Sequence, residues 1–167
     1  RPYLTTKQIE ALAESLRCKN DTNLSDDDKS LRAIPEREGK LPKIVHLEDQ
    51  AAERKYVVNL VQAYQKANSK LTIGLIAAKN SQIKTYSDWL TSAGIQHEQV
   101  TKDSTFSMAK PGVKVVTAYG AKGLEFNCVI IPMFAEGYFP FKHMTDDPEE
   151  MADYIIKMRN LVYVSMT

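Results

Sequence analysis

The chain has 167 residues, a net charge of +1, 43% apolar residues and 26% charged residues. That length suits one domain with a real core, and it is too short for two comfortable domains. The composition is that of an ordinary soluble globular protein. The near-neutral charge gives no general electrostatic argument for nucleic-acid binding, so only a local basic patch stays open.

The two cysteines, Cys18 and Cys128, lie far apart in the sequence, and Cys128 sits inside an apolar run. This favours a buried free thiol over a disulfide and fits a reducing compartment. The sequence has no signal peptide and no apolar run of membrane length, so we predict a cytoplasmic protein with no membrane partner. Because the first residue is not Met, we expect an excised piece of a larger protein.

The first part of the chain predicts one helix, a polar excursion and a short strand. Thr5 is the expected N-cap, with Gln8 three residues later, and apolar residues then recur at helical spacing over 9–16. Residues 20–40 are polar and indicate a long surface excursion. The segment Lys43–Leu47 predicts a strand.

Helices and strands then alternate. We predict a helix over Asp49–Asn68, a strand over Leu71–Ala78, and a third helix around residues 83–93 that ends at Gly94. Further strands are predicted at Val113–Ala118 and Cys128–Phe134, and a last helix at Glu149–Val164.

Several of these strands are continuous apolar runs, as expected for strands covered on both faces. The alternation therefore predicts an α/β fold, a parallel sheet with helices on both faces. Ligands of such sheets bind at the carboxyl ends of strands. The loop Thr117–Glu125 follows the strand that begins at Val113, which places a candidate site there.

The side chains of this loop suit a phosphate or nucleotide ligand. Gly120 and Gly123 allow close approach or left-handed backbone angles, Lys122 carries a point charge, and Glu125 offers acceptor oxygens. The alternative is a plain turn with glycines for geometry and solvated charges. No Walker A pattern occurs in the chain, so a phosphate cradle of that type is absent.

Three segments resemble one known family. Residues 115–140, VVTAYGAKGLEFNCVIIPMFAEGYFP, resemble motif V of the UvrD/Rep family of superfamily 1 helicases, usually T-x-H-x-x-K-G-L-E-F. Residues 159–167, RNLVYVSMT, are similar to the start of motif VI, and residues 1–9, RPYLTTKQI, to a worn motif IV. The three occur in the order that the family has.

The resemblance implies that residues 1–167 form a single RecA-like domain, the second (C-terminal) motor domain of an ATP-dependent DNA helicase or translocase. The implied partners are the first RecA-like domain of the same protein and single-stranded DNA. The implied cofactor is ATP, with Mg²⁺ held by the missing first domain. The motif VI arginine would follow Thr167, so we expect no ATP hydrolysis by this piece alone.

The resemblance also implies roles for five residues. Lys122 and Gly123 would face the phosphates, and Glu125 would bind the ribose. Thr117 and Tyr119 would lie on the nucleic-acid side and couple it to ATP. Tyr119 departs from the family pattern, which usually has His, but an aromatic ring can still stack on a base.

Two alternatives to a DNA motor stay open. HelD-like ATPases, which remodel RNA polymerase, share the sequence A-K-G-L-E-F found at residues 121–126. A degenerate scaffold domain is suggested by Leu4, which stands where motif IV normally has an arginine that reaches the ATP phosphates.

Other conspicuous residues have ordinary explanations. The three histidines are scattered with no Cys or His neighbours at ligand spacing, so no metal site is predicted. Trp89 lies beside Leu90 on the third predicted helix and is expected to pack in the core. The aromatic cluster of Tyr138, Phe139 and Phe141 leaves two interpretations open, which are local packing and contact with nucleic acid or the missing domains.

Overall fold

The computed structural model describes residues 7–9, 11–12, 39–101, 104, 110–134 and 147–150. The chain divides into two compact units, one formed by Arg1–Val45 with Asp147–Thr167 and the other by His46–Asp146. The prediction of a single domain over 1–167 stays a prediction. The candidate site belongs to the second unit.

The second unit carries a four-stranded sheet in which every neighbouring pair of strands is parallel. The strand order is β2-β3-β1-β4. This confirms the predicted α/β fold. In chain order the elements are α1 (Gln50–Ala67), β1 (Thr72–Ala77), α2 (Asn80–Ser92), β2 (His97–Val100), β3 (Gly112–Thr117) and β4 (Cys128–Ile130).

Strand β1 lies inside the sheet, and all six of its residues are buried. It pairs with β3 so that Thr72 is opposite Gly112 and Ala77 is opposite Thr117. The carboxyl ends of these two strands therefore lie at the same level. Burial on both faces explains why the sequence here is continuously apolar instead of alternating.

One face of β1 packs against both helices. Alternate residues Ile73, Leu75 and Ala77 share a core cluster with side chains of α1 and α2, whereas Gly74 and Ile76 are absent from it. Successive side chains of a strand point to opposite faces, so Gly74 looks away from these helices. The other members of the cluster are Val57, Val61, Ile83, Tyr86, Trp89, Leu90, Ile95, Val113 and Val115.

Both helices have a well-defined cap, and the end of α2 is at the predicted Gly94. Asp49 caps α1, because its carboxylate accepts a hydrogen bond from the Ala52 N–H at 2.7 Å. After α2, Gly94 has φ +69°, and the Ile95 N–H donates to the Leu90 carbonyl at 2.9 Å. This is a Schellman end. Trp89 is buried on α2 beside Tyr86, as predicted, with ring centroids 5.1 Å apart.

Two predictions about strands need correction, and one strand was missed. The predicted strand Lys43–Leu47 is irregular in the structure, and its apolar side chains are exposed, with Ile44 at 64%. A strand requires a hydrogen-bonded neighbour, and none pairs with this segment among the described residues. Strand β4 ends at Ile130 instead of Phe134, because the backbone turns at Met133, where φ is +53°. Strand β2 was not predicted at all.

The terminal predictions are tested only in part. Residues 7–9 and 11–12 are helical, in agreement with the predicted first helix. The last helix has begun by residues 148–150, and Asp147 caps it by accepting the Glu149 N–H at 2.9 Å. Its predicted course to Val164, most of the polar excursion, Leu4, Cys18, the aromatic cluster and the motif VI segment lie outside the described residues.

Candidate functional site

The connection from β3 to β4, residues 118–127, is the candidate site, and we call it the crossover. It begins at the carboxyl end of the sheet, where the Ala118 N–H donates to the Ala77 carbonyl at 2.8 Å. It ends at the opposite end of β1, where the Asn127 N–H donates to the Thr72 carbonyl at 2.9 Å. The crossover therefore runs along β1, and it does so without a helix.

The first part of the crossover is a turn held by its own hydrogen bonds. The Thr117 carbonyl accepts from the Ala121 N–H at 2.8 Å, and the Thr117 hydroxyl accepts from the Gly120 N–H at 3.0 Å. The Leu124 N–H donates to the Ala121 carbonyl at 2.9 Å. Thr117 is half-buried, and its carbonyl and hydroxyl oxygens both accept hydrogen bonds that hold the turn.

The two glycines of the turn have different structural reasons. Gly123 has φ +84°, a backbone conformation that L-residues with a side chain rarely adopt. Gly120 lies close to the end of β3. An added Cβ would be 3.0 Å from Val116 Cγ2 and 3.2 Å from Thr117 Oγ1, so a side chain does not fit there without a shift. The sequence predicted that glycines are required here, and the geometry assigns each its cause.

Three side chains with polar groups are exposed on the surface of the crossover. Tyr119 is 66% exposed, and Lys122 and Glu125 are also exposed. A phenol ring, an ammonium group and a carboxylate are therefore accessible along one short, hydrogen-bonded segment. The structure places the five predicted site residues on this segment and at its start, and their roles toward ATP and DNA remain predictions.

The second part of the crossover is tied to β1 by residues that carry no recognisable motif in the sequence. The Thr72 N–H donates to Asn127 Oδ1 at 2.8 Å, which adds a second bond to the one made by the Asn127 backbone. The half-buried Phe126 ring lies against Gly74, where an added Cβ would be 2.9 Å from ring atoms. A glycine inside a strand commonly marks such a close approach, and Gly74 was the available signal.

Polar groups near the other strand ends are already engaged within the fold. The buried Gln82 side chain accepts the Ala78 N–H at 2.7 Å, at the carboxyl end of β1. The Tyr86 hydroxyl donates to the Pro132 carbonyl at 3.1 Å, and burial raises the pKa of Tyr86 well above its usual range. Glu53 accepts the Met133 N–H at 2.6 Å. These three side chains make hydrogen bonds that stabilise the fold. The candidate site therefore consists of the exposed side chains of the crossover.

The described residues contain no group of three or more His, Cys, Asp or Glu side chains that could hold a metal ion. Cys128 is a free, half-buried thiol, and burial raises its pKa. No helix in the described part of the chain is long and apolar enough to cross a membrane.

Comparison with known proteins supports the resemblance inferred from the motifs. Residues 100–167 match the family model of the UvrD-like helicase C-terminal domain. The chain is also similar to the solved C-terminal domain of a possible DNA helicase from Lactobacillus plantarum WCFS1, with 20% identity and a TM-score of 0.63 over 99% of this chain and 81% of that chain. No curated protein matches the chain. The similarity to UvrD-like helicase C-terminal domains and the α/β fold are thus both confirmed.

Proposed function

We propose that this chain is the second motor domain of an ATP-dependent DNA helicase or translocase. In this proposal it contributes half of an ATP site and part of a single-stranded DNA track. The observation that carries it is the crossover, an exposed, hydrogen-bonded segment that begins at the carboxyl end of a parallel sheet and combines Lys122, Gly123 and Glu125. The family match over residues 100–167 includes this segment.

The nucleotide side of the proposal rests on complementary chemistry. Lys122 is exposed and offers a positive point charge to phosphate oxygens. Gly123 has no side chain to cover its backbone, and apart from its chain neighbours no heavy atom lies within 4 Å of the position of an added Cβ. Glu125 is exposed, and a carboxylate accepts hydrogen bonds from ribose hydroxyls.

The nucleic-acid side depends on Tyr119. Its ring is 66% exposed and stands in the turn, so a base can stack on it without rearrangement of the core. Thr117 stays on the nucleic-acid side of the proposal, since its hydroxyl accepts the Gly120 N–H within the turn and keeps its own O–H as a donor. We infer that Thr117 acts by holding the turn that carries Tyr119.

The missing components belong to the first motor domain. That domain would supply the Walker residues and hold Mg²⁺, which neutralises phosphate charge during transfer. On this account ATP lies between the two domains, and Lys122, Gly123 and Glu125 approach it from this chain. A HelD-like ATPase that remodels RNA polymerase remains the alternative, since residues 121–126 suit both.

The proposed ribose contact is tested by Glu125→Gln in the full-length parent protein. A charged hydrogen bond contributes about 1.5–3 kcal/mol, so kcat/KM for ATP should fall about tenfold to a hundredfold while the fold is retained. Glu48→Gln is the matched control, because Glu48 is an exposed glutamate outside the crossover. Unchanged kinetics in Glu125→Gln would show that the contact is not made.

A further inference from the structure

We propose that Asn127 and Gly74 are positioning residues for Glu125, so that the nucleotide contact is set by strand β1. The inference rests on the proposed function, because it assumes that Glu125 meets the ribose. It assigns a role to two residues outside the five expected from the family motif. Neither residue needs to touch the nucleotide.

The first reason is the double hydrogen bond between Asn127 and Thr72. The Thr72 carbonyl accepts from the Asn127 N–H at 2.9 Å, and the Thr72 N–H donates to Asn127 Oδ1 at 2.8 Å. Two bonds between the same residues fix both the distance and the orientation of the crossover end. Thr72 is buried and pairs with β3, so it is a firm anchor for Asn127. Asn127 is two residues from Glu125 in the sequence.

The second reason is the contact between Phe126 and Gly74. A Cβ on Gly74 would lie 2.9 Å from Phe126 Cγ and Cδ2. Such atoms cannot stay that close, so relief requires a change of the Phe126 χ1 angle or a shift of its backbone, and either one disturbs the residue beside Glu125. Because β1 is paired with β3 on one side and β4 on the other, the crossover has to move instead of the strand. Glu125 is the residue next to Phe126.

The third reason is that the two ends of the crossover are held separately. Its first part depends on Thr117 and on hydrogen bonds within the turn. Its second part depends on Thr72 and Gly74 of β1. A change at Asn127 should therefore displace Glu125 and leave the turn that carries Tyr119 in place.

The test compares two substitutions of Asn127 in the full-length parent. The measurement is the ratio of kcat/KM for ATP to kcat/KM for 2′,3′-dideoxy-ATP, which reports the ribose contact. Asn127→Ala removes the acceptor for Thr72 and should lower the ratio about threefold to tenfold. Asn127→Asp keeps an acceptor oxygen and should retain most of the ratio. Ser104→Ala is the control, because Ser104 Oγ also accepts a backbone N–H, from Thr101 at 2.8 Å, in the segment after the edge strand β2.

A double-mutant cycle tests the second contact independently. Gly74→Ala should lower the same ratio in the otherwise native protein. In a Phe126→Ala background there is no ring to displace, so Gly74→Ala should have no further effect. Equal effects of Gly74→Ala in both backgrounds would overturn the steric part of the proposal. If Gly74→Ala or Phe126→Ala fails to fold, the comparison of Asn127→Ala with Asn127→Asp still tests whether strand β1 positions Glu125.

The outcomes separate this inference from the proposed function. A ratio unchanged by Glu125→Gln would refute the ribose contact itself. A ratio lowered by Glu125→Gln but unchanged by Asn127→Ala would refute positioning alone. If Asn127→Ala lowered kcat/KM equally for both nucleotides, Asn127 would have only a general structural role, and the inference would be wrong.

Discussion

Strand β1 and the crossover run side by side but have opposite properties. All six residues of β1 are buried, whereas the crossover exposes Tyr119, Lys122 and Glu125. Residues of a buried strand are restricted to those that pack, so they are unavailable for a ligand. The difference indicates that packing stability resides in the strand, and it leaves the exposed side chains of the crossover for the ligand contacts that we propose.

The stability of the strand and the position of the crossover are not independent where the two segments are in contact. Thr72 and Gly74 belong to the buried strand, yet they contact Asn127 and Phe126 of the crossover. Substitutions elsewhere in β1 should affect folding first, and substitutions at exposed crossover positions should affect ligands first.

The largest expected effect is on folding. Leu75 is fully buried in β1, so Leu75→Ala removes packed methyl groups and should lower the free energy of unfolding by about 2–5 kcal/mol. Denaturant unfolding of the chain measures this loss. Leu41→Ala is the control, because Leu41 is 78% exposed and should cost less than about 0.5 kcal/mol. Equal costs would contradict the burial pattern.

Tyr119 tests the ligand side. Base–aromatic stacking contributes about 1–3 kcal/mol, so Tyr119→Ala should raise the DNA concentration for half-maximal ATPase in the full-length parent by about fivefold to a hundredfold. Turnover without DNA should barely change. Tyr119→Phe keeps the ring and should behave like the native protein.

Two results of this DNA titration would change the account. Strong stimulation that is identical in native protein and Tyr119→Ala would remove Tyr119 from the DNA track. No stimulation of the native protein would favour the polymerase-remodelling alternative. Unfolding of the Tyr119→Ala variant should match that of the native protein, because the side chain is 66% exposed.

The edge strand β2 offers a test of stability away from the crossover. Lys114 in β3 is 1% exposed, and its ammonium group pairs with the Glu98 carboxylate of β2. Glu98→Gln leaves that ammonium without its counter-charge and should cost about 1–2 kcal/mol, since the Glu98 side chain is 32% exposed and water screens the pair. Lys110→Gln is the control and should cost less unfolding free energy. The Lys110 side chain is 72% exposed, and its Nζ lies 3.6 Å from Glu98 Oε1.

This pair also predicts a pH dependence of stability. The hydrogen bond from Lys114 lowers the pKa of Glu98 below its usual value. The unfolded state then binds a proton more readily, so the contribution of the pair is present above the ordinary glutamate pKa. It is lost as the pH falls through the lower pKa of the folded state. The unfolding free energy of native protein and Glu98→Gln should therefore converge in acid, and a constant difference would refute the prediction.

The elements predicted correctly are those with a strong local pattern. Strand β1 is apolar throughout, and α1 and α2 carry cap residues at Asp49 and Gly94. Strand β2 was missed because its first three residues, His97 to Gln99, are polar, and only Val100 is buried. The pairing partner of Glu98 is on another strand, and local patterns contain no information about such pairs.

The candidate site was predicted in part for a related reason. The glycines and charges at Gly123, Lys122 and Glu125 are adjacent in the sequence, so their combination was visible. The anchors of the crossover were not, since Thr72 and Asn127 are 55 residues apart. The strand predicted at Lys43–Leu47 shows the converse error, because an apolar run forms a strand only when another strand pairs with it.

The smallest expected effect distinguishes a loss of unfolding free energy caused by backbone strain from a rise in the KM for ATP. Gly123 and Gly94 both have positive φ, +84° and +69°, and an added Cβ on either would meet no atom within 4 Å. Replacement of either glycine by Ala should therefore cost about 1 kcal/mol of unfolding free energy through the backbone alone. Only Gly123→Ala should also raise the KM for ATP in the full-length parent, because Gly94 ends α2 away from the crossover. Gly123→Asn should cost less than Gly123→Ala, since Asn adopts left-handed angles more readily. If Gly94→Ala raised the KM as much as Gly123→Ala, the effect would follow from lost stability, and the division between strand and crossover would fail.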